Sequence, residues 1–320
     1  MPTGEFFNRT LGRQWRLAKG DAARAAAVFG WDDLNHLLGM DVWNASTMTI
    51  MLDGQKAPPP AYCSRGANRT RNTDMNTDSE KVKRLIEQGA SVVLNDVSSL
   101  TPALARTVDE IRRALNGVAA ANLYFSQKQR RAFHSHYDRH EVLALQIHGT
   151  KTWRIYKGRA DAPIEHPRFL NVPQAEYDRQ KGALDQEITM EPGDVLYLPR
   201  GQFHDALATD GDSLHITFSC FLPNGLNLLQ EIMARLIEDP AFRRDLPRAD
   251  GLVGQAALKA HMDHLAERLA RHCGGDAGLN LANAVLKSFP VRTTATFDLP
   301  HGADETADGP ATGRVKIGGD

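Results

Sequence analysis

Cysteine is scarce in this sequence. Three cysteines occur among 320 residues, Cys63, Cys220 and Cys273, and they are scattered along the chain and odd in number. They form neither a CxxC zinc pattern nor a framework of paired disulfides. We therefore expect a protein of a reducing compartment, the cytoplasm.

Long apolar runs and an excess of one charge are also missing. No stretch reaches the apolar length of a membrane span, and the first twenty residues lack the apolar core of a secretory signal. The formal net charge is -1, so no overall field draws the chain towards nucleic acid or an anionic membrane. We expect no membrane association and no direct binding of nucleic acid.

The sequence divides into four stretches that differ in residue pattern. Residues 1–117 mix helical and strand patterns, which indicates an α/β segment that packs on the second stretch. Residues 118–223 are short strands separated by Gly and Pro turns, a pattern typical of a β-sandwich or barrel. Amphipathic helices fill 224–290, and the Gly-, Asp- and Thr-rich tail, 291–320, is expected to be partly disordered. The predicted fold class is mainly β with flanking helices and a C-terminal helical region.

Two helices of the first stretch have marked ends. Ser79 is predicted to cap one helix, which closes at Gly89. The other begins with Thr101 as its N-cap, has Pro102 in its first turn, and ends before Gly117.

The segment HSHYD, residues 134–138, raises the question of a metal site. If it is a strand, His134, His136 and Asp138 point to one face. A second segment, GDVLYLPRGQFHDA at 193–206, reads as turn, apolar strand and turn, and it delivers His204. Because strands and tight turns are rigid, such a segment suits a preorganised ligand.

Two ligand sets are open on this pattern. His136, Asp138 and His204 leave coordination positions free, as non-haem iron(II) needs in order to bind a cosubstrate and dioxygen. The alternative is His134, His136, Glu141 and His204, the set typical of small metal cupins. The second set is expected to have a glycine seven positions after the glutamate, and Gly149 comes one position too late.

Three segments resemble a known family. They are HYD at 136–138, LQIHGTKTWRIY at 145–156 and PGDVLYLPRGQFHDA at 192–206, which look like the JmjC-type, cupin-fold 2-oxoglutarate oxygenases of the ribosomal-oxygenase branch. The resemblance covers roughly residues 118–222. It implies a double-stranded β-helix fold, with iron(II) on His136, Asp138 and His204 and 2-oxoglutarate as cosubstrate.

The same resemblance implies residues that bind the cosubstrate. Lys151 lies thirteen positions after Asp138, where the family has a basic residue for the distal carboxylate of 2-oxoglutarate. A dicarboxylate inside a narrow barrel needs such a cation to offset its desolvation. Asn122, fourteen residues before His136, matches an asparagine of the cosubstrate pocket. The simpler alternatives are a solvated lysine in a turn and a cross-strand hydrogen bond of the asparagine.

Two further residues are expected near this pocket. His215 and Thr217 share one face of a predicted strand and are assigned to cosubstrate binding. The alternative for His215 is a core histidine whose hydrogen bonds are satisfied.

The sequence departs from the family around the first ligand. Where the family reads close to FAPHYDD, this chain has FHSHYDR. His134 replaces a small residue, Ser135 replaces a proline and Arg139 replaces an acid. No ligand is lost, but the mouth of the site differs, so the resemblance does not define the substrate.

The resemblance implies a hydroxylase that uses dioxygen and acts on a side chain of a protein or peptide. A ribosomal protein is the leading candidate, and a peptide natural-product precursor is the other. Residues 224–290 stand where relatives dimerise, so a homodimer is expected, whereas the winged-helix domain that relatives carry next is not expected after Pro290. Two other functions stay open: a metal cupin enzyme without 2-oxoglutarate, which would use His134, His136, Glu141 and His204, and a non-catalytic cupin binding module.

Overall fold

The structure is a computed structural model that describes residues 3–52, 54–65, 75–127, 134–170, 172–208 and 211–289. The tail at 291–320, expected to be partly disordered, lies outside these residues. Thirteen strands run through the described residues: β1 Arg16–Ala18, β2 Met48–Leu52, β3 Gln55–Lys56, β4 Cys63–Arg65, β5 Met75–Thr77, β6 Ser91–Leu94, β7 Val118–Ser126, β8 Glu141–His148, β9 Lys151–Arg159, β10 Leu184–Met190, β11 Val195–Leu198, β12 Gln202–Ala208 and β13 Ser213–Phe221.

The helices precede, interrupt and follow the strands. They are α1 Thr3–Glu5, continued as a π-helical turn over Phe6–Thr10, α2 Ala22–Val28, α3 Trp31–Leu38, a 3₁₀ turn Pro59–Ala61, α4 Ser79–Glu87, α5 Pro102–Leu115, α6 Pro167–Leu170, α7 Gln174–Gln180, α8 Gly225–Leu236, α9 Pro240–Arg243, α10 Gly251–Cys273 and α11 Gly275–Ser288.

Most strands join one large antiparallel sheet. Its order is β1-β11-β8-β13-β7-β6-β2-β3. β13 lies between β7 and β8, with continuous pairing to β7 and one register shift, between Leu214 and His215, against β8. Side chains alternate along these strands, so each strand sends every second residue to either face. One face packs on helices, and the other faces a smaller sheet with the order β10-β9-β12.

The two sheets enclose one apolar cluster. Trp153 and Ile155 of the small sheet pack against Val142, Ala144 and other buried residues of the large one. Strands facing each other across a common core form the expected double-stranded β-helix. The predicted fold class, mainly β with flanking helices, is confirmed.

Helices cover the outer face of the large sheet. Leu104 and Val108 of α5 belong to the larger core cluster together with the odd-numbered residues of β7. Thr101 caps α5 as predicted, since its side chain accepts from the Leu104 N–H. The prediction of Ser79 as the cap of α4 is wrong. The cap is Asp78, whose carboxylate accepts from two backbone N–H groups of the first turn, while Ser79 is already the first helical residue.

The C-terminal helices are attached more lightly. The Asn116 side chain, at the end of α5, donates to the Leu286 carbonyl at 2.7 Å, but α10 has no buried residue. Among the helices of the described ranges, none has the length and apolar character needed to cross a membrane.

A glycine fixes the turn between β8 and β9. Gly149 has φ +63°, and a Cβ there would lie 1.9 Å from the Asp212 carbonyl oxygen. Only glycine tolerates both the left-handed backbone and this close approach. The turn therefore fixes where β9 begins, at Lys151.

Candidate active site

The ligand segment 136–138 is not a strand, in contrast to the expectation. His136 forms an isolated antiparallel bridge with His204, through a pair of backbone hydrogen bonds of 3.0 and 2.9 Å. The Asp138 carbonyl accepts from the Gly201 N–H at 2.9 Å. These contacts stand in place of a regular ladder, and they bring the three side chains of the first ligand set together.

The two histidines have the same tautomer. The His136 Nδ1 lies 2.9 Å from the His134 carbonyl oxygen, and the His204 Nδ1 lies 3.0 Å from the Gln202 carbonyl oxygen. A carbonyl oxygen only accepts, so each Nδ1 carries the proton and each Nε2 keeps its lone pair. Hydrogen bonds of this kind orient metal-binding imidazoles.

Asp138 completes a potential metal site. One ligand atom from each of His136, Asp138 and His204 lies within 4.8 Å of the others, and the His204 Nε2 lies 3.5 Å from an Asp138 carboxylate oxygen. Burial, followed by the His136 charge, lowers the pKa of His204 to about 4. Burial raises the pKa of Asp138, but the nearby His136 and His204 charges outweigh it, so the pKa is lowered overall. At neutral pH the His204 imidazole is therefore neutral and the Asp138 carboxyl is ionised.

The alternative ligand set is not assembled. His134 is exposed. Glu141 is buried, but its side chain accepts a hydrogen bond from the Tyr197 hydroxyl. Among the described residues, the cluster that could hold a metal includes neither of them. Glu141 shares the helix-facing side of β8 with Leu143, which explains why it points away from the cavity.

Lys151 is buried, so the turn-lysine alternative is wrong. Its side chain is 2% exposed, and its Nζ donates to the Ser126 Oγ at 2.8 Å. No described carboxylate lies within 4.0 Å of this ammonium group. Burial without a counterion lowers the pKa of Lys151 to about 8. An ammonium group in this state is suited to binding an anion.

Asn122 and Thr217 line the same cavity as Lys151. They lie opposite each other on β7 and β13. The Asn122 Oδ1 accepts from the Asp96 N–H at 2.9 Å. This hydrogen bond joins β7 to the segment after β6, and it is close to the cross-strand bond that was the simpler alternative for Asn122. Because Oδ1 is engaged, the amide nitrogen is the group that Asn122 can offer to a ligand.

His215 is a buried histidine, but its hydrogen bonds are not satisfied, in contrast to the alternative. Its ring stacks on Tyr124 with centroids 4.8 Å apart and packs edge-on against Trp153. Its Nδ1 has no hydrogen-bond partner in the described part of the protein. Burial, followed by the Lys151 charge, lowers the pKa of His215 well below its ordinary value.

Ser126 and Tyr124 are among the cavity residues that were not predicted from the sequence. Ser126 accepts a hydrogen bond from Lys151, and the Tyr124 ring stacks on His215. Burial, followed by the Asp138 charge, raises the pKa of Tyr124. Both are even-numbered residues of β7, as is Asn122. Alternation along β7 would have identified them once Asn122 was assigned to the cavity.

The cavity has a closed end and an open end. It has a volume of about 230 Å³ and includes Lys151 as well as all three potential ligands. Lys151 and Ser126 lie where β7 and β8 end and β9 begins. The ligand segment lies at the opposite end of these strands, where His140 also lines a second cavity of about 480 Å³. We call this second space, lined by 139–141, 164–165 and 220–227 among others, the mouth cavity.

Comparison with known proteins identifies what this chain is similar to. The family model described as JmjC domain matches residues 98–228. The chain is 30% identical over 189 residues to the bifunctional lysine-specific demethylase and histidyl-hydroxylase NO66 of Drosophila persimilis, covering 57% of this chain and 27% of that protein. It is 27% identical over 256 residues to ribosomal oxygenase 1 of Homo sapiens, covering 78% of this chain and 38% of that protein.

Solved structures show the same fold. Escherichia coli ycfD superposes with a TM-score of 0.52 at 16% identity, over 83% of this chain and 67% of that chain. A structure of YcfD, a ribosomal oxygenase from Escherichia coli, in complex with cobalt and 2-oxoglutarate superposes with a TM-score of 0.51 at 16% identity, over 86% of this chain and 68% of that chain. The resemblance to the ribosomal-oxygenase branch of JmjC proteins is confirmed. The chain spans between about a quarter and two fifths of the two curated relatives' lengths.

Proposed function

We propose that this chain is an iron(II)- and 2-oxoglutarate-dependent oxygenase that hydroxylates a side chain of a protein or peptide, because residues 98–228 match the JmjC domain. One observation carries the proposal. A triad of His136, Asp138 and His204 shares a small cavity with the buried ammonium group of Lys151, which has no described carboxylate partner.

The residues present fit both groups. Two imidazoles and one carboxylate on one face are the ligands of non-haem iron(II) oxygenases, and both Nε2 atoms carry a lone pair. The distal carboxylate of 2-oxoglutarate would supply the counterion that Lys151 lacks. The cavity also contains the unsatisfied Nδ1 of His215, a second polar atom that a bound carboxylate or water would satisfy.

When bound, iron(II) with 2-oxoglutarate and dioxygen supplies the oxidation, which inserts one oxygen atom into a substrate C–H bond and converts 2-oxoglutarate into succinate and carbon dioxide. The protein's part is positional. His136, Asp138 and His204 hold the metal, while Lys151, with Asn122 and Thr217, orients the cosubstrate from the closed end. Trp153 and Val142 line the cavity with apolar surface and limit the access of water.

A polypeptide substrate is proposed because the mouth cavity adjoins the metal site. His140 borders both cavities, so a substrate side chain could enter at the mouth while its flanking residues stay outside. The names of the curated relatives favour a ribosomal protein, and a peptide natural-product precursor is the alternative. Incubation of the protein with iron(II), 2-oxoglutarate and a lysate of the source organism, followed by mass spectrometry, tests this. A gained oxygen on a peptide supports the proposal.

We also propose a homodimer in the cytoplasm. The C-terminal helices expose large apolar side chains, which is a common feature of interfaces. These are Leu226, Leu229, Met233, Ile237, Leu252, Val253, Met262, Leu279 and Leu286. A monomeric mass in light scattering would contradict the dimer.

The proposed compartment rests on the cysteines. All three are free, which suits a reducing compartment, and recovery of the protein in an oxidising compartment would contradict that assignment.

The chemistry is tested by anaerobic titration of the iron(II)-loaded protein with 2-oxoglutarate. We expect a visible charge-transfer band in the unmodified protein, and its loss in Lys151→Ala at the cosubstrate concentration that saturates the unmodified protein. Lys157→Ala is the matched control, because Lys157 is on the same strand but exposed, and it should keep the band. Bound iron without a band in the unmodified protein would contradict the proposal and favour a cupin enzyme that needs no 2-oxoglutarate.

A further inference from the structure

Helix α7 contacts the residues that alternate with the metal ligands. It belongs to the connection between β9 and β10, which is remote in sequence from the ligand segment. Ser135 and Tyr137 flank His136, and both are buried. Each of them is held by residues of α7 or by Lys181, directly after it. The ligand segment lacks a regular ladder, so these contacts are its main support besides the bridge to β12.

Ser135 is held by three polar side chains. The Gln174 amide donates to the Ser135 carbonyl at 3.0 Å. The Ser135 hydroxyl donates to an Asp178 carboxylate oxygen at 3.2 Å and accepts from the Lys181 ammonium at 3.1 Å. Lys181 and Asp178 are themselves paired at 2.7 Å. Both the hydroxyl and the carbonyl of one buried serine are therefore engaged by the same element.

Tyr137 is held by aromatic packing. Its ring centroid lies 5.2 Å from that of Tyr177 on α7 and 5.1 Å from that of Phe203. Phe203 directly precedes His204, and it also contacts Tyr177 at 5.9 Å. The three rings belong to one small apolar cluster, which also includes Tyr156. Tyr177 thus packs against both ligand-bearing segments at once.

Lys181 also reaches the segment that carries His204. Its ammonium lies 5.1 Å from the centroid of the Tyr156 ring, and the Tyr156 hydroxyl donates to Asp205, the residue after His204, at 2.6 Å. Lys181 therefore contacts Ser135, the residue before His136, and also Tyr156, which bonds the residue after His204.

We propose that Gln174, Asp178 and Lys181 are positioning residues for the metal site, and that they act through Ser135 to hold His136 at the distance from His204 that metal binding needs. The inference rests on the proposed function, because it assumes that the triad binds a metal. The physical reason is entropic. A serine lacks the ring that restricts a proline backbone, so hydrogen bonds from α7 must order this segment before the metal arrives.

The test is a titration of the metal-free protein with cobalt(II), followed by ligand-field absorption and calorimetry. Asp178→Ala should weaken cobalt(II) binding about tenfold, at the lower end of the effects seen when groups supporting metal ligands are removed. Glu176→Ala is the matched control. Glu176 lies on the same helix, but its carboxylate contacts Arg179 and Gln180, so cobalt(II) affinity should stay within about twofold of the unmodified protein.

A double-mutant cycle separates positioning from a general loss of structure. Ser135→Ala should weaken cobalt(II) binding about as much as Asp178→Ala, and the double variant should be no weaker than either, because both changes disrupt the same hydrogen-bond network around the Ser135 hydroxyl. Thermal unfolding of the metal-free variants checks that they are folded. If Asp178→Ala does not fold, Gln174→Ala replaces it in the titration.

Two results would overturn the inference while leaving the metal site intact. One is cobalt(II) affinity in Asp178→Ala within twofold of the unmodified protein. The other is a double variant whose loss equals the two single losses combined. If the unmodified protein itself does not bind cobalt(II), the metal site of the proposed function fails, and the positioning role fails with it.

Discussion

The two ends of the barrel are held together by different means. At the closed end, β7 pairs regularly with β13, and β8 pairs with β13 through one register shift. There the Gln146 amide donates to the His148 carbonyl at 2.8 Å and to the Ser213 hydroxyl at 2.9 Å. At the mouth, the segment 136–138 has one isolated bridge to β12 and relies on side chains of α7. Strand pairing thus holds most of the end proposed to bind 2-oxoglutarate, whereas side-chain contacts hold most of the end proposed to bind the metal.

This difference indicates how changes at each end should act. At the closed end the architecture is secure without Lys151, so a change there should alter charge and leave the fold intact. At the mouth the ligands themselves lie on an irregular segment, so single side chains should determine metal affinity. Substitutions at the two ends, and a change of pH, test this contrast.

The largest effect is expected for a ligand at the mouth. His204→Ala removes one of three metal-binding side chains and should weaken cobalt(II) or iron(II) binding more than about a hundredfold. The measurement is calorimetric titration of the metal-free protein. His134→Ala is the control, because His134 is exposed and lies outside the cluster, and it should change affinity less than about twofold. A comparable loss in both variants would revive the set of His134, His136, Glu141 and His204.

A smaller effect is expected at the closed end, where a substitution should abolish cosubstrate binding and raise the stability of the protein. Lys151→Met should abolish 2-oxoglutarate binding and stabilise the ligand-free protein at pH 7. A lysine pKa lowered to about 8 means that the charged side chain is about 3 kcal/mol less favourable in the folded than in the unfolded chain. Loss of the Ser126 hydrogen bond offsets part of this, so a gain of about 1 to 3 kcal/mol is expected.

Chemical denaturation of the metal-free protein measures that change. Lys157→Met, at the exposed position on the same strand, should alter the free energy of unfolding by less than about 0.5 kcal/mol. A clear destabilisation in Lys151→Met would mean that the ammonium group supports the fold, and the contrast between the two ends would then not hold.

The smallest effect is a pH dependence. The free protein has a Lys151 pKa of about 8, so the ammonium form is dominant below that pH and is lost above it. Affinity for 2-oxoglutarate should be constant below about pH 8 and fall towards a tenfold loss per pH unit above it. Calorimetry with the manganese(II)-loaded protein measures this. In Lys151→Arg the guanidinium stays charged, so any remaining affinity should not fall over the same range.

Much of the closed end was predictable from the sequence, and less of the mouth was. The strand that carries His215, β13, alternates between polar and apolar residues, and this period is a local property. Asn122 and Lys151 were assigned from the resemblance. The segment 136–138 reads locally as a strand. Its irregular backbone follows from contacts with Gly201 and His204, which are remote in sequence. The short polar helix α7 carries no apolar period, so its contacts with Ser135 could not be foreseen.

Individual residues show the same limit. The local pattern correctly predicts Thr101 as a helix cap, whereas it does not separate Ser79 from its neighbour Asp78, because both residue types favour that position. The buried state of Lys151 came from the resemblance and not from its neighbours, which read as a turn. The unsatisfied Nδ1 of His215 depends on which groups surround it in three dimensions, and a sequence pattern does not contain that information.

Each metal-facing imidazole takes its orientation from the main chain two residues earlier, at His134 for one ring and Gln202 for the other. A carbonyl is present whatever residue stands there. The identities of the side chains that surround the entrance can therefore change, and with them the molecules admitted, while the rings keep their aim. Substrate recognition and metal coordination thus depend on different parts of the chain, so substrate recognition can change in evolution without loss of the metal site.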